Sequence, residues 1–365
     1  MKNLLKIGTA LLFAASPMVS CLKQDASSLK GNDGIGDCVL TVSIGDELTK
    51  VVGQTPAAEK KINDVQVFVF NTSTGKLDAA VHKGGLSSDG GFTLSEKLSC
   101  TRGPRQVWAL VNAKVNYVDG PDAERVKTIN ELQEKTSFLT DNGPSDFVMA
   151  GKVDVKLEAD TQTVSVEVRR VCAAVFIKNI ENDMIVPAYQ VSGAVKITGV
   201  YLLNVPNKQN FTIPDSDKTA VGSISSTVLP QENWISPLKK TDAASELALT
   251  SDVYDQIDQT LEFKSKFSKH STLYAYPNDA ETLPSSTWAP AVTTLVVEAE
   301  VGGQPCIYPI RLGNLHSNYK YEVSLVIKHI GGSPDNPWKK IEFSDLTATI
   351  NVVDWTTGEP VSQTI

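Results

Sequence analysis

Period-two alternation of apolar and polar residues dominates this chain. Cys38, Leu40, Val42 and Ile44 share one face of a segment whose other face carries Thr41 and Ser43, the pattern of a half-buried β-strand. Similar runs at 62–71 (INDVQVFVFN), 76–83, 91–98 and 105–113 (RQVWALVNA) are separated by turn clusters such as NTSTG and SSDGG, and they predict antiparallel strands. One segment has a helical period instead. Over 122–139, Asp122 stands at a capping position, Val126, Ile129, Leu132 and Phe138 fall near one face, and DNGP at 141–144 stops the pattern. Strands resume at 147–151, 153–159 and 163–180, the last run long enough to leave one domain and enter another. After a loop-rich stretch at 213–290, punctuated by prolines, alternation returns at 292–301, 304–312, 318–331 and 345–355.

The second set of strands partly repeats the first. VKITGVYLLNVPNKQNFT (195–212) echoes INDVQVFVFNTSTGKLD (62–78): each runs through Ile and Val into an apolar stretch that ends in Asn and a polar turn. The 365 residues suffice for two domains of ordinary size. The expected architecture is all-β, with two β-sandwich domains over 37–162 and 163–365 and one short helix in the first.

The chain opens with Lys2 and Lys6 and an apolar run over 7–15. That run is too short for a bilayer span of about 20 residues and reads as an export signal. Val19 and Ser20 before Cys21 resemble the lipobox of bacterial lipoproteins, with Met18 in place of the usual Leu. The resemblance implies cleavage over 1–21 and a diacylated, palmitate-bearing Cys21 that tethers the protein to a membrane. In the alternative, Cys21 is an ordinary thiol beside a general cleavage site. Residues 22–36, rich in Lys, Gln, Asp, Ser and Gly, suit a flexible, solvated tether.

Composition narrows the function. A net charge of −8 with no basic patch argues against nucleic acid as a partner. Four cysteines follow Cys21, namely Cys38, Cys100, Cys172 and Cys306, without a CxxC pair; the four histidines are dispersed. Nothing in the spacing points to a metal site, a cofactor or an acid–base pair, and neither a GxSxG nor a phosphate-binding glycine loop is present, so an enzyme is not expected. NDGIGD (32–37) lacks the acidic spacing of a calcium loop. Cys38 and Cys100 could form a disulfide in an oxidising compartment, but each lies in a strand-like run where buried thiols are common, and that reading is preferred.

Four stretches carry a family resemblance: KLSCTRGPRQVWALVNA (97–113), TINELQEKTSFL (128–139), NYKYEVSLVIKHIGGSPDNPW (318–338) and ATINVVDW (348–355). With the lipobox, they resemble the FimA-type fimbrillins, subunits of the type V pili of Bacteroidota. The resemblance implies two transthyretin-like β-sandwich domains and export as an outer-membrane lipoprotein. It also implies loss of the first strand to a maturation protease, and filling of the vacated groove by a neighbour's C-terminal strand. On this chain the departing strand carries the plugs Leu40, Val42 and Ile44. The donor segment lies in 352–365, where Val353, Trp355, Val361 and Ile365 alternate across a Thr-Thr-Gly-Glu-Pro hinge. In the alternative, the tail is a last edge strand with a frayed end.

The processing pattern departs from the family's. The protease of well-known members cuts after Arg, yet no Arg precedes Arg102; the matching loop, DELTKVVG (46–53), offers Lys50, with Lys60 and Lys61 as other candidates. The expected partners are identical or related fimbrial subunits, the protease, host or bacterial surface receptors and, through the lipid, the membrane. A short tail without an added lectin-like domain favours a shaft subunit that supports adhesion and biofilm formation. An anchor or tip subunit, or a monomeric lipoprotein that binds glycans or host protein, stands as the alternative, with Trp234, Tyr254, Tyr274, Tyr276 and Trp288 available for stacking on sugars.

Overall fold

A computed structural model of the chain describes residues 37–46, 57–89, 91–94, 97–214, 220–239, 249, 251–267, 269–339 and 347–354. The first half contributes strands β1 (Asp37–Asp46), β2 (Lys61–Asn71), β3 (Leu77–Asp89), β4 (Gly91–Thr93), β5 (Leu98–Thr101), β6 (Gly103–Val111), β7 (Thr136–Phe138), β8 (Met149–Leu157) and β9 (Thr161–Arg170), and one helix, α1 (Ile129–Glu134). The second half contributes β10 (Ala173–Asn182), β11 (Val195–Leu203), β12 (Val205–Pro206), β13 (Lys208–Asn210), β14 (Trp234–Ile235), β15 (Tyr254–Thr260), β16 (Ser271–Ala275), β17 (Thr294–Val301), β18 (Gln304–Arg311), β19 (Tyr319–Ile327) and β20 (Thr347–Asp354). The chain is all-β, as the alternation predicts.

Two units share one topology. In the first, β3-β2-β6-β8 form one layer and β1, flanked by β9 on one side and β4 and β5 on the other, forms the second; two residue pairs between the start of β8 and the end of β9 join them. In the second, β15-β11-β17-β18 and β16-β10-β19-β20 repeat the two layers. β10 runs parallel to β19 and antiparallel to β16, just as β1 runs parallel to β9 and antiparallel to β5. The sequence echo between 62–78 and 195–212 thus marks β2 and β11, each flanked on both sides within its layer. β20 lies on the outer side of β19, where the matching side of β9 carries, among the described residues, only its two pairs to β8.

Inward-facing residues of both layers, among them Leu40, Val42, Val67, Ala109 and Val166, belong to one core. The layers touch closely where β8 meets β9: a Cβ at Gly151 would lie 2.0 Å from the Glu167 carbonyl oxygen, so only glycine fits there.

Several segments depart from the expected elements. The helix expected over 122–139 is confined to Ile129–Glu134. Thr128 accepts a hydrogen bond from the Glu131 N–H at 3.2 Å and the Glu131 carboxylate accepts one from the Lys127 N–H at 2.7 Å, which starts the helix at its own cap. Upstream, Val126 N–H bonds the Tyr117 carbonyl and Asp122 pairs with Arg125 rather than capping; downstream, Thr136–Phe138 pairs with β13, a partner from the other unit. The run at 163–180 breaks at Val171 and Cys172, where the chain passes from the first unit to the second. β9 therefore straddles the 162/163 division read from the sequence. The run at 195–212 breaks at Asn204, whose φ of 55° ends β11. The alternation at 318–331 continues as strand only to Ile327.

The units are bonded to each other. Ser137 and Tyr276 share a hydroxyl hydrogen bond at 2.5 Å, and Asn142 donates to the Tyr276 hydroxyl at 3.0 Å. At the end of β9 the Arg170 N–H donates to Asn318 Oδ1 at 3.3 Å across the units, while its buried guanidinium donates to the Glu59 carbonyl at 2.7 Å and lies over the Phe147 ring within the first unit.

Candidate functional site: the seat of the first strand

β1 begins the described chain and occupies the inside of a layer. Eight residue pairs, from Val39↔Thr161 to Asp46↔Val168, tie it in parallel to β9. On its other side Asp37–Leu40 pairs with β5 and Ser43–Gly45 with β4, both antiparallel. Further main-chain bonds lock its register: Val39 N–H donates to the Asp160 carbonyl at 2.8 Å, and Leu94 N–H donates to the Val42 carbonyl at 2.9 Å. Because the side-chain period of a strand is two, one apolar residue in every pair faces the core. Cys38, Leu40 and Val42 are 0% exposed and Ile44 is 2% exposed. The seat beneath them is lined by Val164, Val166 and Val168 of β9 and by Leu94, Leu98 and Cys100 across the strand. Leu40, Val42 and Ile44 each contribute about 1.5–3 kcal/mol by leaving water.

Charge closes one end of the seat. Arg102, after β5, forms an ion pair with Asp160, ahead of β9. Nearby, Asp78 accepts from the Thr101 N–H and hydroxyl at 2.9 and 3.0 Å and from Arg105 Nε at 2.9 Å, with Arg105 only 1% exposed. The Cys38 thiol is held above its ordinary value chiefly by burial, with Arg102 pulling the other way; burial pushes Cys100 up to about 12.

The C-terminal segment is placed only in part. Within β20, Val352, Val353 and Asp354 pair antiparallel with Tyr321, Lys320 and Tyr319 at the edge of the second unit. Val352 is buried and Val353 half-buried, while Ala348, Thr349 and Asn351 are exposed. Cys21, Lys50, Trp355, Val361 and Ile365 lie outside the described residues. Lys60 ends a 3-10 turn and Lys61 opens β2, where its carbonyl accepts from Asn112 Nδ2 at 2.9 Å; a protease reaching that bond must first open the strand's start.

The remaining chemistry is structural. Cys172 and Cys306 are buried. His82 bonds Asp64 and accepts from Asn116 Nδ2 at 2.9 Å, while His270 lies against Phe176 and His316 against Tyr319, so these three histidines occupy separate surroundings. Among the described residues no group of three or more His, Cys, Asp or Glu could hold a metal ion, and no helix is long and apolar enough to cross a membrane. Of the five aromatic residues considered for sugar stacking, Trp234 and Tyr276 are buried. Trp288 packs edge-on against Trp234 at 6.1 Å, Tyr274 against Phe147 at 4.8 Å, and Tyr254 lies beside Tyr201. Cys38 and Cys100, the pair the sequence offers for a disulfide, stand directly opposite each other in the register of β1 on β5, and both are buried free thiols in this structure.

Residues 39–183 match the family model described as major fimbrial subunit protein (FimA). No curated relative matches the chain. Solved structures resemble it over nearly its whole length. A candidate cell adhesion protein of Bacteroides eggerthii aligns with a TM-score of 0.63 at 19% identity, covering 89% of this chain and 98% of that one. Another, from Parabacteroides distasonis, aligns at 0.61 and 16% identity, covering 88% and 99%. A fimbrilin (FimA) of Porphyromonas gingivalis aligns at 0.58 and 15% identity, covering 88% and 98%. The matched stretch begins inside β1 and ends just beyond β10, so it spans the whole seat of the first strand. Residues 39–183 therefore carry the signature of the FimA fimbrial-subunit family, and the chain as a whole has a fimbrilin's fold.

Proposed function

We propose that this protein is a shaft-type subunit of a cell-surface fimbria, built into a filament by exchange of its first strand. The observation that carries the reading is the seat of β1: a strand at the start of the fold lies inside a layer, bonded on both sides, with its plugs fully buried. Removing such a strand bares the backbone edges of β9, β4 and β5 and an apolar trough between them, a state favourable only once another strand enters. Strand addition restores both the ladder and the side-chain pockets. β20 supports the donor half of the scheme, because among the described residues it is the strand the repeated topology does without.

In this scheme the precursor travels to the outer membrane on a lipid at Cys21. A trypsin-like protease then cuts at Lys50, and the C-terminal segment of one subunit, with Val353, Trp355, Val361 and Ile365 as its apolar residues, enters the seat that Leu40, Val42 and Ile44 leave in the next. The filament then meets host or bacterial surface receptors. Pairing of Val352–Asp354 on β19 of its own unit favours a second reading, in which the subunit keeps its tail and its lipid and acts as an anchor or a free binding lipoprotein.

Intact mass and N-terminal sequence of protein sheared from the cell surface separate the two. A start near Val51, with high-mass ladders on an unheated gel that vanish when Thr356–Ile365 is deleted, is the expected result. A blocked, diacylated Cys21 on a species of monomer mass, unchanged in oligomeric state by trypsin, refutes strand exchange.

A further inference from the structure

Cys38 and Cys100 face each other directly across the antiparallel β1–β5 pair, with Leu40 opposite Leu98 as the next pair on the same face. Residues opposed in this way have Cα atoms roughly 4.5–5.5 Å apart, within the range of about 4.4–6.8 Å that a disulfide spans. Both side chains point into the core, at 0% and 2% exposure, so the two sulfurs occupy the same side of the sheet; in this structure both are free thiols, with Cys100 Sγ donating to the Leu98 carbonyl at 3.8 Å. Cys172, in the link between β9 and β10, and Cys306 of β18, opposite Ala299 of β17, have no cysteine opposite them.

We propose that Cys38 and Cys100 form a cross-strand disulfide that pins the first strand in its seat. The inference rests on the strand-exchange reading for its consequence, though not for its chemistry. Each thiol gives up one proton and the pair gives up two electrons as the sulfur–sulfur bond forms. The electron acceptor is a disulfide of the thiol–disulfide oxidoreductase class in the exported compartment, which is reduced to two thiols through a mixed disulfide. Burial of both sulfurs places the reaction early, while β1 is still settling against β5, and afterwards shields the bond from reductants. Cleavage of the chain beyond β1 then leaves the strand attached through Cys100. Its departure requires reduction as well as proteolysis.

The test uses the full chain, isolated without reductant from cells that export it and denatured in N-ethylmaleimide. The expected result is label on Cys172 and Cys306 only, with a linked tryptic peptide pair joining Cys38 to Cys100; label on both Cys38 and Cys100 overturns the proposal. In a second arm, trypsin-nicked protein is offered a synthetic peptide copying 352–365. The β1 fragment is expected to stay with wild-type protein until reductant is added and to leave Cys38→Ser without it. Wild-type protein with and without reductant gives the same comparison if the variant does not fold. A mapped disulfide with a fragment that stays seated even after reduction refutes strand exchange and leaves the cross-link standing. No disulfide, with a fragment that leaves on peptide addition alone, overturns the cross-link and leaves strand exchange standing.

Discussion

Replacing Leu40 by Ala asks whether the first strand is held mainly by its core-facing side chains. Leu40 is fully buried, opposite Leu98 on β5 and Gln162 on β9. At such a site the lost transfer energy and the residual cavity together cost about 3–5 kcal/mol. Thr41, one residue on, sits half-buried on the other face, and Thr41→Ala should cost less than about 1 kcal/mol, the scale of a cross-strand pair. The assay is release of the β1 fragment from trypsin-nicked protein in reducing buffer, followed by size exclusion after addition of an excess of competing peptide. Because about 1.4 kcal/mol is a factor of ten, a 3 kcal/mol loss expressed in dissociation speeds release roughly a hundredfold for Leu40→Ala. For Thr41→Ala the change stays below about fivefold on the same scale. Equal release rates for the two variants refute the reasoning, because backbone pairing alone then holds the strand.

Three further outcomes follow from the geometry. Gly151→Ala forces a methyl group against the Glu167 carbonyl and lowers thermal stability by about 2–3 kcal/mol or more, whereas Gly143→Ala, with nothing within 4 Å of the new Cβ, leaves the melting temperature nearly unchanged. Tyr276→Phe strips the hydroxyl that Ser137 and Asn142 share across the two units, costing about 1–3 kcal/mol in urea unfolding; an unchanged midpoint refutes a role for that bond. Burial raises the Glu298 carboxyl above its ordinary value, so the folded state binds this proton more tightly than the unfolded chain. The resulting penalty is absent below the ordinary value of 4.5 and is complete above the raised one. Glu298→Gln should therefore stabilise the protein at neutral pH by chemical denaturation, with the gain shrinking as the medium is acidified through that window. A gain that grows on acidification contradicts the assignment.

Much of the fold was legible locally, because strand faces follow from a period of two and Leu40, Val42 and Ile44 of β1 lie buried on the face that alternation gave them. The long helix was not. Val126 and Leu132 are buried as an apolar helical face requires, but Phe138 is 43% exposed, since the chain around it serves as a strand for a partner some seventy residues later. Local periodicity cannot weigh a partner it does not contain. The same limit applies to the division at 162/163: the backbone of β9 is claimed by β1, more than a hundred residues earlier, and the change of unit waits until the pairs of β9 are complete.

What the amino-acid order determined alone is the set of faces, the turns between them, and the dispersal of cysteines and histidines. These follow from side-chain chemistry and the two- and 3.6-residue periods of the backbone. Only the tertiary structure decided that β1 lies inside its layer, that β20 is surplus to the repeat among the described residues, and that Cys38 meets Cys100. Each of these depends on register between strands distant in the chain, and register is set by which apolar faces can be buried together at once.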